Sequence, residues 1–255
     1  MGGFKNLVFL IFLVTGFSFF LTAQEADSLI SRGDSVYQQH NYPLALNLYS
    51  QVLEKDPDSY AAAWRLSRAY IDVGESIDNK DKRQQYYQKG EELARKAIEL
   101  NPEGSQGHLF LSIALGRVAL DAGAKERIKL SKEIKAEADR ALELDPENDL
   151  AWHVLGRWNR RLASLSWVEK KFANMFLGGV PKDASVEKAA EAFRKAVELN
   201  PDYINHHLEL AITLEKLDRK SEAMTEYRKV LELPASDPED QKYQQMAMKK
   251  LDSLQ

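Results

Sequence analysis

A chain of 255 residues that is 44% hydrophobic and 29% charged, with 13 glycines and 8 prolines, has the composition of a helix-rich globular protein. Lysine and arginine number 35 against 39 aspartates and glutamates, so the formal net charge is −4 and the chain lacks the basic excess of a nucleic-acid binder. There is no cysteine, which excludes disulfides, thiolate metal sites, a cysteine nucleophile and an acylated cysteine as a lipid anchor.

The first stretch pairs Lys5 with an apolar run from Leu7 to Leu21, followed by Thr22-Ala23 and the polar Gln24-Glu25-Ala26-Asp27-Ser28. This is the layout of a secretory signal, residues 1–23, with cleavage expected after Ala23 although Leu21 is a poor residue three before the cut. The run would reach about 22 Å as a helix, short of the ~30 Å hydrocarbon core, so a cleaved signal is favoured over an anchor at residues 7–21. Export, into the periplasm of a Gram-negative cell, is the expected localisation.

From Asp27 onward apolar residues recur at helical spacing, and the pattern breaks at Asn/Asp-Pro pairs. The breaks divide residues 24–255 into helix pairs at about 26–57, 58–102, 103–146, 147–201 and 202–234, with a cap at 237–255. In the first pair Gly33 lets two helices approach, His40-Asn41-Tyr42-Pro43 turns the chain, and Ala45, Tyr49 and Pro57 repeat the spacing of Ala189, Phe193 and Pro201. In the fourth, Trp152, Leu155 and Gly156 complete a Trp-x2-Leu-Gly pattern. Here the chain resembles the tetratricopeptide repeat, in which small residues sit where the two helices cross and large ones fill the space beside them.

The intervals agree with that register. Pro57 to Ser67, Pro146 to Gly156 and Pro201 to Ala211 are each 10 residues, and Leu199 to Leu233 is an uninterrupted 34. Successive prolines lie 45, 44 and 55 residues apart, which places extra residues between the paired helices, about 11 in the second pair and 21 in the fourth. In the third pair Gly116 reads as the crossing residue, four positions late.

The fourth-pair insertion, roughly Leu162 to Pro181, carries Leu165, Val168, Phe172 and Phe176 at helical spacing, with Trp167 and Met175 as further apolar surface. It is expected to form an additional helix. That helix either seals a gap between repeats or presents Trp167, Phe172 and Phe176 to a partner or membrane. This segment, through Leu155-Gly156-Arg157-Trp158, Leu165-Ser166-Trp167, Glu169-Lys170-Lys171 and Pro181 to the Glu198-Leu199-Asn200-Pro201 close, also resembles the regulator of microtubule dynamics family. The resemblance implies a non-enzymatic scaffold or adaptor, linked in eukaryotes to microtubules and organelle membranes. A secretory signal departs from that setting, since an exported chain cannot meet cytoplasmic microtubules.

No phosphate-binding Gly-rich Lys-Ser/Thr loop, His-Glu-x2-His or Gly-x-Ser-x-Gly occurs, so no catalytic residue, cofactor or metal is expected. His206 and His207 are adjacent and point to different sides of a helix, which disfavours joint metal binding. Binding is then expected on the concave face of an array, lined by fixed positions of each first helix. Counting those helices from Tyr60, Leu109, Asp149 and Ile204 puts arginine at one matched position in three consecutive repeats, Arg68, Arg117 and Arg157. Their neighbours are Trp64, Ile71, Phe110, Ile113, Leu120, His153 and Arg160. Arginine there suits a peptide carboxylate or an anionic lipid headgroup, and equally an ion-pair ladder with Asp72, Asp121 or Glu137.

The C-terminal stretch from Asp237-Pro238 reads as a capping helix with Tyr243, Met246 and Leu251 on its apolar side. The expected fold is an all-α, right-handed α-solenoid of about five tetratricopeptide-like helix pairs, with an inserted helix in the fourth pair and a C-terminal cap. The expected function is an exported, non-enzymatic scaffold that holds a peptide or protein partner on its concave face. The alternative is an anionic-lipid-binding or membrane-tethering module of the same fold.

Overall fold

The computed structural model describes residues 23–176, 184–236 and 238–254, with side chains at all of these except Ala124, Phe172, Ala173, Phe176 and Pro238. The expected signal up to Thr22 and the Gly178-to-Pro181 stop therefore lie outside the described residues. Among those described, the elements are helices: α1 (23–38), α2 (Tyr42–Lys55), α3 (Tyr60–Glu75), α4 (Lys80–Leu100), α5 (Ser105–Asp121), α6 (Ala124–Leu144), α7 (Asp149–Ala163), α8 (Trp167–Phe176), α9 (Val186–Leu199), α10 (Ile204–Lys216), α11 (Lys220–Glu232) and α12 (Pro238–Leu254). None is long and apolar enough to cross a membrane.

The Asn/Asp-Pro punctuation acts as the steric rule predicts. Asp56, Asn101, Asp145 and Asn200 each leave the helix with φ between −148° and −130° and ψ between 81° and 91°, the extended region that a following proline imposes. Each still donates its N–H back to the carbonyl four residues earlier, on Val52, Ala97, Ala141 or Ala196. The next helix begins three residues past the proline at Tyr60, Ser105, Asp149 and Ile204. Ser59 and Asn148 cap two of these starts by accepting from Ala62 N and Ala151 N.

The start at Ser105 corrects the register of the third pair. Ten residues past Pro102 stands Ser112, which is fully buried like Ser67 and Ala211. Gly116 is not a crossing residue, because a Cβ added there would meet nothing within 4 Å. The physical cause is that the proline sets the helix start, so a small residue one turn later lies on the same side but past the point where the partner helix comes close.

Uninterrupted pairs turn tightly. His40 (φ 58°) and Asp218 (φ 56°) take the left-handed conformation after α1 and α10, with Asn41 N donating to Val36 O and Arg219 N to Leu214 O, the six-to-one bond of a Schellman turn. The extra residues of the second and third pairs lengthen the second helix: α4 and α6 have 21 residues each, against 14 in α2 and α9 and 13 in α11.

Two compact units result, one ending at Pro102 and one beginning at Glu103. In the first, α3 packs between α2 and α4, and Ala45, Tyr49, Leu66, Ala69 and Leu93 form a core. A Cβ on Gly33 would come within 2.4 Å of the Tyr49 ring, which explains the glycine. In the second, α5 pairs with α6, α7 with α9 and α10 with α11, while α5, α7 and α10 follow one another as first helices. Here a Cβ on Gly156 would lie 2.7 Å from the Phe193 ring, so α7 and α9 cross on a glycine-aromatic contact. Helix α12 covers the open side of α10 and α11, its Ala247 and Leu251 joining the core that holds Ala211, Leu214, Tyr227 and Val230.

Candidate partner-binding site

In the first unit the expected groove residues form a closed network around Asp34. Arg65 Nε donates to both carboxylate oxygens, at 2.8 and 3.1 Å, and the Tyr49 hydroxyl donates to Oδ1 at 2.7 Å. Burial raises the Asp34 carboxyl, but the bonds from Arg65 and Tyr49 outweigh it and leave the group below the usual carboxylate range. The Arg68 guanidinium stands 3.7 Å from Asp34 and 3.6 Å over the Tyr37 ring, with Trp64 at 5.2 Å. The Tyr37 hydroxyl in turn donates to Asp72. Ile71 is buried and packs where Gly90 passes close, which makes it a core residue rather than a lining one.

The second unit brings the remaining expected residues together. Helix α5 carries Ile113, Arg117 and Leu120 as one stripe, and α7 beside it carries His153, Arg157 and Arg160 at the same spacing. Phe110 is buried in the packing and takes no part in the surface. On the next first helix, Glu209 pairs with Arg160, whose Nη1 also donates to the Glu209 backbone carbonyl at 3.0 Å and to Thr213 Oγ1 at 3.1 Å. Arg157 reaches the same carboxylate only at 3.8 Å, and its side chain is 41% exposed where that of Glu209 is 10%. Burial lowers the Arg157 guanidinium below its ordinary range, Glu209 opposes this, and the facing charges of Arg117 and Arg160 add to the lowering. Three guanidiniums thus share one neighbourhood, and the carboxylate held by two of them is Glu209.

Behind the arginines lies a chain of polar groups that sequence reasoning missed. Asp149 Oδ2 accepts from Asn200 Nδ2 at 2.9 Å and from His206 Nε2 at 3.0 Å, and His206 Nδ1 lies 2.9 Å from His153 Nδ1. Of the two facing Nδ1 atoms one donates and the other accepts. His153 packs edge-on against Phe193 with ring centroids 5.3 Å apart, so it is a buried packing residue and not an open groove ligand. His207 turns the other way, to Glu226 at 2.7 Å and the Pro201 carbonyl at 2.8 Å. These pairs span up to 57 residues, and no local pattern announces them. Among the described residues no cluster is arranged to hold a metal ion.

The insertion is a helix, as expected. Ser166 and Glu169 form a capping box, Ser166 N donating to the Glu169 carboxylate at 2.8 Å and Glu169 N to Ser166 Oγ at 3.2 Å. Arg127 of α6 lies 3.8 Å from that carboxylate. The opposite side is open: Trp167 is 71% exposed and Met175 62% exposed, with Lys171 Nζ 4.9 Å from the Trp167 ring centre. The side chains of Phe172 and Phe176 lie outside the described residues.

Paired helices crossing on small residues, punctuated by Asn/Asp-Pro and closed by a capping helix, define a tetratricopeptide-type repeat protein, a class whose extended surfaces hold partners. The solved structure of TTC0263, a thermophilic tetratricopeptide repeat protein of Thermus thermophilus, superposes with a TM-score of 0.66 at 19% identity, covering 88% of this chain and 98% of that one. The family model "Regulator of microtubule dynamics protein 1-3" matches residues 22–255, and the chain belongs to that family. It is 31% identical over 222 residues to regulator of microtubule dynamics protein 3 of Bos taurus, covering 87% of this chain and 46% of the relative. It is 31% identical over 202 residues to protein 2 of Homo sapiens, covering 79% and 49%. The chain thus spans about half the length of the curated relatives it matches.

Proposed function

We propose that this protein is an exported scaffold that acts by binding, holding a peptide or protein partner along the first-helix face of its second unit. The observation that carries the reading is the meeting of two neighbouring first helices, where the Ile113-Arg117-Leu120 stripe of α5 lies beside the half-exposed Arg157 of α7 and combines apolar surface with positive charge. Leu120 is 57% exposed at the edge of this face, a large apolar side chain available to a partner. Export rests on the Lys5, Leu7-to-Leu21, Ala23 layout. The test is a photo-crosslinking residue placed in living cells at Leu120 or, as control, at Glu191 on the solvent side of α9. A discrete adduct from Leu120 alone supports the reading, and equal or absent adducts at both positions overturn it.

A second reading, contact with an anionic membrane surface, draws on the exposed Trp167 and Met175 with Lys171 between them on α8. Flotation with phosphatidylglycerol vesicles, lost on Trp167→Ala, would support it.

A further inference from the structure

We infer that the turn joining α7 to α8 is a headgroup site for an anionic phospholipid, in which Lys170 and Lys216 clamp the phosphate beside Ser164 while Trp167, Val168 and Met175 enter the bilayer boundary. This rests on the membrane reading of α8 and adds the group that selects the lipid.

Two lysines from different helices converge on consecutive residues of this turn. Lys170 Nζ, on α8, reaches back to the Ala163 carbonyl at 3.4 Å, and Lys216 Nζ, at the end of α10, lies 3.4 Å from Ser164 Oγ. Both contacts are long, and a stronger acceptor displaces them easily. Among the described residues neither ammonium has a carboxylate within ion-pair distance, although a glutamate precedes each in sequence. Those glutamates are engaged elsewhere. Glu169 accepts from Ser166 and faces Arg127, and Glu215 is held by the Tyr227 hydroxyl and by Lys250 at 3.0 Å. Arg161, exposed on the last turn of α7, adds a third positive charge. A phosphate at Ser164 accepts from both lysines and from the hydroxyl, replacing two weak contacts with charge-assisted ones.

The neighbouring surface points to a bilayer rather than to a soluble phosphate. Trp167, Val168 and Met175 are 71%, 67% and 62% exposed, and helical spacing gathers them with Lys171 into an arc of about 100°. Glu169, on the other side of α8, faces Arg127 of α6 and so keeps that arc outward. Tryptophan and lysine on the open arc of a ten-residue helix are the make-up of an interfacial helix, with apolar side chains at the acyl boundary and ammoniums among the headgroups. Lys170 borders Trp167 on this helix, so the phosphate it holds belongs to a lipid whose chains lie against that ring.

The test follows tryptophan fluorescence of the protein expressed from Met1. The probe is a vesicle of equimolar phosphatidylglycerol and phosphatidylcholine with brominated acyl chains, which quench only at contact distance. Trp167→Phe isolates the Trp167 signal from those of Trp64, Trp152 and Trp158. The mixed vesicles should quench the parent saturably and beyond that background, and phosphatidylcholine alone only weakly. Lys170→Gln and Lys216→Gln should each weaken the quenching titration about fivefold, and together roughly 30-fold, with an unchanged melting temperature. The exposed Lys249 on α12 is the control, and Lys249→Gln should change the titration by less than about twofold. Absence of quenching beyond the background overturns both the headgroup site and the membrane reading. Quenching that the double lysine variant retains in full, an equal loss in Lys249→Gln, or equal quenching by phosphatidylcholine alone overturns the site and leaves the membrane contact standing. Saturable shifts of the two ammonium resonances with glycerol phosphate, without vesicle binding, would make this a site for a soluble phosphate and overturn the bilayer.

Discussion

The Nδ1 atoms of His153 and His206 lie 2.9 Å apart inside the second unit, so one ring donates, the other accepts, and both cannot be imidazolium at once. Burial holds His153 well below the ordinary imidazole value, and the charges of His206, Arg157, Arg117 and Arg160 push the same way. Burial alone would raise Asp149, but its bonds from His206 and Asn200 leave it below the usual carboxylate range.

Both shifts make acid destabilising. The unfolded chain takes up a proton on His153 near pH ~6.5 that the folded chain refuses, so stability is lost as pH falls through that value, by up to about 1.4 kcal/mol per pH unit. The Asp149 share persists until pH drops below ~3.9 and is lost towards its lower folded value. Denaturant unfolding at pH 7.5 and 5.5 should show the first loss, and His153→Asn, less stable at pH 7.5, should flatten the profile. Parallel profiles for the two proteins would remove His153 as the cause.

Two glycines should respond to alanine with opposite signs. At Gly156 the new Cβ meets Phe193 at 2.7 Å, an overpacking that costs about 1–3 kcal/mol, and Phe193→Leu should recover part of the loss in the double variant. At Gly116 nothing lies within 4 Å, so alanine should stabilise by up to about 1 kcal/mol through helix propensity. Thermal unfolding of the three proteins checks the register of both repeats, and destabilisation at Gly116 would contradict it.

Arg160→Ala and Arg157→Ala separate a structural arginine from a surface one. The first leaves Glu209 largely buried without its hydrogen-bonded partner, a loss of about 3–5 kcal/mol for a buried pair, whereas the second removes a long contact and should change stability by less than about 1 kcal/mol. Equal melting temperatures would mean that the Arg160 network does not hold α10.

The export proposal predicts that mass spectrometry of protein from its native source finds a chain beginning at Gln24. Recovery of an intact N-terminus in a membrane fraction would favour an anchor at residues 7–21 instead.

The repeat architecture was legible because its determinants are local. Pro57, Pro102, Pro146 and Pro201 end helices by sterics that involve only the preceding residue, and helical spacing of apolar residues needs no knowledge of neighbours. Distances from those prolines predicted Ser67, Gly156 and Ala211 as crossing residues, and the same rule applied strictly would have found Ser112 instead of Gly116.

The roles of the charged residues were not legible, because they depend on which carboxylate arrives from another helix. Arg68 and Arg157 occupy the same repeat position, yet Asp34 and Tyr37 enclose the first while Glu209 stands 3.8 Å from the second. Arg160 looked like a groove residue and is a structural tie, and His153 joins a polar chain whose members lie up to 57 residues apart in sequence. Sequence alone determined where helices begin, end and cross, since those are contacts within a turn or one helix pair. Only the tertiary structure decided which carboxylate Arg68, Arg157 and Arg160 meet, because Coulombic attraction and desolvation act through space, and the spacing of residues along the chain does not encode them.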